Sequence, residues 1–318
     1  VTKQAISKYE KGLMKPDGHN LVALANATGV STGYFFRHTN VNPTKIEFRK
    51  KAKLSQKEID RIESRTLDFL ERYIEISEIV GQGMVFENPL KNFKIRSYSE
   101  VEAAAEKLRD FWNLGESPLS NLMEMLEGKG ICIFEIKTQI GFDGLSGFVG
   151  DIPVVILNAS LVLDLKRVTL AHELGHLILK FTKLEPKIKE KMCHAFAVAF
   201  LLPRAAISTE LFNKRQNIAE WELKKLKGIY GISMWAIMTR AHILGIITDS
   251  HYKRFCMYAS SNGWRQEEPG EYVGREKPNR FHHLVYYAMA EGIITMSKGA
   301  ELLNVGLPVL RRKFQLVT

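Results

Sequence analysis

Two histidines four residues apart, with a glutamate beside the first, form His172-Glu173-Leu174-Gly175-His176. Residues i and i+4 of a helix share a face, so both imidazoles can reach one Zn²⁺ at about 2.0–2.1 Å. Glu173 stands next round the helix, where a carboxylate can take the proton of a metal-bound water. Together these are the parts needed to hydrolyse a peptide bond with a metal ion. On an ordinary amphipathic helix the same residues would only cap or pair with nearby charges. The flanks favour the ligand reading, because Val168, Leu170, Ala171, Leu174, Leu177 and Ile178 follow a helical apolar pattern that buries the motif. Gly175 weakens a helix, which implies close backbone packing or room beside a metal.

A hydrolytic zinc keeps three protein ligands and one open position. The best third candidate is Glu190, early in a second helix expected over 189–202 and ended by Pro203. Glu190 and His194 are again i and i+4. By analogy with two-helix zinc sites, Glu190 would ligate and His194 would orient a histidine of the first helix. The competing readings are a solvated carboxylate for Glu190, and a satisfied core histidine or a direct ligand for His194. Cys193 reads as a small buried hydrophobe rather than a soft ligand. His242, Arg240 and Tyr230 are available to stabilise an oxyanion, and the sequence does not choose among them.

The run from Arg167 to His176, followed by Glu190 and by Phe196-Ala197-Val198-Ala199-Phe200-Leu201-Leu202-Pro203, resembles the ImmA/IrrE metallopeptidases. The likeness is specific over about 150–205 and looser on either side. That family has Glu at position 190, Asn or Asp where His194 stands, and Met where Leu202 stands; the last exchange is close to volume-neutral. The resemblance implies a narrow protein substrate, typically a repressor cut in response to stress or a mobile-element signal.

The 318 residues suffice for two or three domains, and 45% apolar with 25% charged residues is ordinary globular composition. No apolar run is long enough to span a bilayer, so no membrane partner is expected. Three scattered cysteines without Cys-x-x-Cys fit a reducing cytoplasm. The chain does not begin with Met, which hints that the natural start lies upstream. A net charge of +10 favours an anionic partner, nucleic acid first. The excess is greatest early in the chain, at Lys3, Lys8, Lys11, Lys15 and Arg49-Lys50-Lys51-Lys53.

Thr2 can cap a helix running to about Lys11, with Gly12 as its stop. A second helix starts at Asp17 or Asn20 and stops at Gly29, and a short third holds Tyr34, Phe35 and Phe36. This segment resembles the second half of an XRE/Cro-type helix-turn-helix, with 1–12 as recognition helix and following turn. The resemblance turns Ile6 and Tyr9 to the core and Thr2, Lys3, Gln4 and Lys8 to the major groove. Two helices precede the recognition helix in that fold, so DNA binding is expected of the complete N-terminal domain. A small helical dimerisation or packing module is the alternative, and a homodimer fits either.

Elsewhere, 43–57 reads as a basic linker, 57–81 as a long helix and 81–98 as a loop. Ser99 with Glu102 forms a capping box, and 118–128 is a further helix. Ile131–Ile136 and Pro153–Asn158 read as buried strands flanking a Gly-rich hairpin region, 141–150. A substrate chain could add to the edge of the second strand. Turn-then-helix patterns recur at Gly231-Ile232-Ser233 and Glu291-Gly292-Ile293, and both are read as packing or partner-docking elements rather than extra helix-turn-helix units. The stretch 264–274 is an ordered loop without evident chemistry.

The expected fold is therefore α+β and predominantly helical. It has a zincin-like peptidase core, a partial N-terminal helix-turn-helix and a helical C-terminal region, divided as 1–42, 43–80, 81–210 and 211–318. The expected function is a cytoplasmic, regulatory zinc endopeptidase coupled to DNA binding. The alternative is a DNA-binding repressor or antitoxin-like regulator whose peptidase-like domain is a sensor or scaffold.

Overall fold

Helical periodicity governs most of the chain. A computed structural model describes residues 1–28, 32, 35, 55–137 and 142–315, and among them fourteen helices accompany five short strands. In order these are α1 (Lys3–Glu10), α2 (Gly18–Thr28), α3 (Gln56–Ile79), β1 (Lys94–Ile95), α4 (Tyr98–Phe111), α5 (Leu122–Gly128), β2 (Cys132–Ile136), β3 (Gly144–Val149), β4 (Ile152–Asn158), α6 (Leu163–Ile178), β5 (Lys180–Phe181), α7 (Pro186–Leu201), α8 (Arg204–Leu211), α9 (Glu220–Tyr230), α10 (Met234–Ile243), α11 (Asp249–Ser261), α12 (Arg280–Ala290), α13 (Met296–Leu302) and α14 (Leu307–Lys313). The expected third N-terminal helix and most of the basic linker lie outside the described residues. Two compact units result, one of 44–66 and 84–279, the other of 1–43, 67–83 and 280–318.

The larger unit holds the strands and the motif helix. Its three-stranded sheet runs β2-β4-β3, with β2 parallel to β4 and β3 antiparallel to it. This corrects the expectation that a substrate could add to the second strand. β4 is central and both its edges are taken, because the Gly-rich stretch forms a full strand of its own. β2 and β3 are the two outer strands, and of β3 only Phe148 is exposed.

Burial of α6 and α7 against each other fixes the motif. Twelve of the sixteen residues of α6 are buried. Gly175 is what brings α7 close, since a Cβ there would stand 3.1 Å from Phe196 Cδ1 and 3.5 Å from Cys193 Cβ. The glycine thus serves helix packing. Pro186 opens α7 at its first turn, where a missing N–H costs nothing.

Two helix starts differ from expectation. Ser97, not Ser99, caps α4, with Glu100 completing the capping box. The Ser-x-x-Glu spacing occurs twice in succession, and Glu102 is drawn instead into a bidentate pair with buried Arg240 (2.7 and 2.9 Å). α5 begins at Leu122 under Asn121 rather than at Pro118, and Glu276 caps it as well, accepting from the Leu122 and Met123 amides at 3.2 and 3.1 Å.

In the smaller unit the rings of Phe69, Tyr73 and Phe281 meet edge to face at 5.1–5.8 Å. Arg72 donates to the Leu302 carbonyl at 2.6 Å and so ties the second half of α3 to α13. Among the described residues α1 buries nothing and α2 buries Ala25 alone. Ile6, expected in the core, is 37% exposed. Two helices of eight and eleven residues cannot enclose a core between them. Among the described residues no single helix is long and apolar enough to cross a membrane.

Candidate metal centre

The helical i, i+4 relation brings the His172 and His176 Nε2 atoms to 3.0 Å from each other. Glu190, reaching over from the second turn of α7, sets Oε2 3.2 Å from His172 Nε2 and Oε1 3.2 Å from His176 Nε2. Three ligand atoms at the corners of such a triangle are the donor set of a tetrahedral metal. Zn–ligand bonds of about 2.05 Å imply ligand–ligand edges of about 3.3 Å. The residues therefore fit Zn²⁺, with the fourth corner left to a small molecule. The histidines are largely buried, whereas the Glu190 side chain is half exposed, so the triangle opens on the α7 side.

Glu173 is buried and lies one position from His172 on α6. Ser146 on β3 donates its hydroxyl proton to Glu173 Oε2 at 2.7 Å. The approach is tight, since a Cβ on Gly144 would come within 2.7 Å of Thr169 Cγ2 and 3.1 Å of Glu173 Cγ. Ser146 went unnoticed in the sequence; its only signal there is a polar residue among the small residues of a strand. The distal nitrogen of His176 also has a neighbour that sequence reasoning set aside, Cys193 Sγ at 3.4 Å from Nδ1. His194 lies one residue on, exposed, its ring centroid 6.5 Å from that of His172.

Two clefts flank the triangle. One of about 1090 Å³ takes in His194, Val168, Trp235 and the loop from Trp264 to Tyr272. The other, of about 550 Å³, is lined by His176, Glu190, Asn88 and Phe181. The Trp264–Tyr272 loop, without evident chemistry in the sequence, thus forms a cleft wall. It is anchored beneath by Arg167 of α6, fully buried, which pairs with Glu276 and donates to Tyr272 Oη at 3.0 Å and to the Leu119 carbonyl at 2.8 Å.

Residues 126–242, which contain His172, Glu173, His176, Glu190 and Ser146, match the family model of the IrrE N-terminal-like domain of the M78 peptidases. Residues 1–35 match a helix-turn-helix model. The chain joins an IrrE/ImmA-like peptidase-type domain to an XRE-type helix-turn-helix. None of the curated proteins compared with it matches. In the helix-turn-helix segment Thr2 caps α1 by accepting from the Ala5 amide at 3.2 Å, and Lys3, Gln4 and Lys8 are exposed.

Within the IrrE/ImmA-like domain two of the three expected oxyanion candidates are engaged elsewhere and the third is buried. Arg240 is held by Glu102 and by the Leu202 carbonyl at 2.5 Å. Tyr230 is buried, which raises its pKa. His242 pairs with Asp249 at 2.5 Å and stacks on Tyr252. None of the three lines either cleft.

Proposed function

We propose that the IrrE/ImmA-like domain is a zinc-dependent endopeptidase acting in the cytoplasm on a regulatory protein, a repressor above all, and that the helix-turn-helix couples it to DNA. The observation that carries this reading is the triangle of His172, His176 and Glu190 with the buried, serine-held carboxylate of Glu173 beside it. Zn²⁺ held by that triangle would supply a water acidified to a pKa of about 7 and a hold on the scissile carbonyl oxygen. Glu173 accepts the proton of the attacking water and returns it to the leaving amine. Ser146 keeps the carboxylate pointed for that exchange, and Cys193 fixes the ring plane of His176. His194 steadies the His172 side and meets the substrate in the larger cleft. An extended substrate enters through the two clefts, which flank the triangle, while the strand first expected to receive it is central in its sheet.

The pairing with a DNA-binding segment favours a substrate that is itself bound near the DNA. Lys3, Gln4 and Lys8, with the cap at Thr2, would face the major groove. A domain serving only as scaffold would have no use for a buried Glu173 held by a serine, because an ionisable group in the core costs several kcal/mol unless something demands it.

Zinc content of the purified protein tests the reading. One tightly bound zinc is expected in the wild type and in Glu173→Gln, and its loss in Glu190→Ala. Full zinc in Glu190→Ala removes Glu190 from the ligand set. No zinc in the supplemented wild type ends the proposal. Glu173→Gln that holds zinc should cut no protein substrate that the wild type cuts.

A further inference from the structure

α14, like α1 and α2, buries almost nothing. Leu310 alone is buried, and Arg311, Arg312 and Lys313, all exposed, fill the last turn. Among the described residues none of the three is ion-paired. Lys298 of α13, by contrast, is tied to Glu75 at 2.5 Å and Glu301 at 3.2 Å.

The path into α14 is that of a helix-turn-helix. Thr295 caps α13, and the chain then turns through Asn304 at φ 53° to start α14 after Gly306. A left-handed residue between two short helices lets the second leave at a steep angle, and Asn tolerates that conformation. Small residues seat α13 on α12, since a Cβ on Gly299 would lie 2.2 Å from Met289 Sδ. Arg72 grips the last carbonyl of α13 at Leu302. The first helix is thus fixed while the second presents its cations. The other turn-then-helix pattern ends differently, because α10 is buried along its length.

We propose that α13, Asn304 and α14 form a second helix-turn-helix, and that α14 lies on double-stranded DNA with Arg311, Arg312 and Lys313 at the phosphates. Three features choose DNA. Among the described residues no carboxylate pairs with that positive charge, and a short turn between two helices is one that nucleic-acid readers use. The same compact unit also contains the segment matching the helix-turn-helix model. An anionic membrane is a poorer fit, since the exposed apolar surface of α14 amounts to little beyond Pro308 and Val309. The inference is independent of the metal centre.

The test is fluorescence anisotropy of the full chain on a labelled 30-base-pair duplex, titrated from 50 to 200 mM KCl. Arg311→Ala/Arg312→Ala/Lys313→Ala should bind about tenfold more weakly at 100 mM, with a log–log salt slope shallower by about two to three, one counterion per lost contact. Arg311→Lys/Arg312→Lys, which keeps charge and fold, should retain affinity and slope. The triple substitution should add its loss to that of Lys3→Ala/Lys8→Ala. An unchanged slope in the triple variant overturns the proposal, as does an equal loss in the lysine variant. So do a wild type that ignores the duplex at 50 mM, and a triple variant that loses only binding to phosphatidylserine vesicles.

Discussion

α10 and α14 each follow a turn marked by a left-handed residue, Gly231 in one case and Asn304 in the other, yet they meet opposite surroundings. Six of the ten residues of α10 are buried, and its arginine is spent on Glu102 and a backbone carbonyl. α14 buries one of seven and keeps its arginines exposed. The turn chemistry therefore fixes where the second helix begins, not what it faces. Facing is decided by the residues after the turn. Met234, Ile237, Met238 and Ala241 give α10 an apolar surface too wide to leave exposed, whereas Leu310 gives α14 a single anchor.

Arg240→Met should cost about 3 kcal/mol in urea unfolding, because it takes the bidentate partner from the poorly solvated Glu102 carboxylate and leaves it only the distant Arg204; a cost below about 1 kcal/mol would mean that α10 is not held as described. Gly231→Ala should cost about 2–3 kcal/mol by the same measurement. Its new Cβ would sit 2.5 Å from Nε of the immobile Arg167, in a backbone conformation that alanine resists. At the matching position of the other turn, Asn304→Gly should stay within about 0.5 kcal/mol of wild type, since glycine takes that φ without strain. A large loss there would show that the Asn side chain, not the turn, holds the pair together. Smallest of all, Arg311→Ala/Arg312→Ala should leave the melting temperature within about 2 °C of wild type, as expected for exposed, unpaired side chains.

What could be read from the sequence was what depends on local spacing. The i, i+4 histidines, the Glu190–His194 repeat on the next helix and the glycine that lets the two helices touch all declare themselves within a few turns. Two buried strands were equally plain from their unbroken apolar runs. What escaped depends on contacts between distant segments. Ser146 reaches Glu173 from a strand 27 residues earlier, and nothing in a run of glycines and small residues marks one hydroxyl as special. Cys193 sits in an apolar stretch where a thiol looks like filler, and its value comes only from facing His176. The cap of α4 was misplaced by two residues because Ser97 and Ser99 offer the same spacing, and Arg240, far along the chain, takes Glu102 away from the second. Ile6 shows the reverse error. A helical pattern names an apolar face, but burial requires something to cover it.

Glu276 has a consequence for the order of synthesis. That single carboxylate caps α5 and neutralises Arg167 on the histidine-bearing helix, 109 positions upstream. As the chain leaves the ribosome, His172, His176 and Glu190 emerge well before residue 276 does. Until then Arg167 has no counter-ion and the wall of the larger cleft does not exist. The wall of the larger cleft beside the histidine-bearing helix is thus completed late in translation, only once residue 276 has emerged.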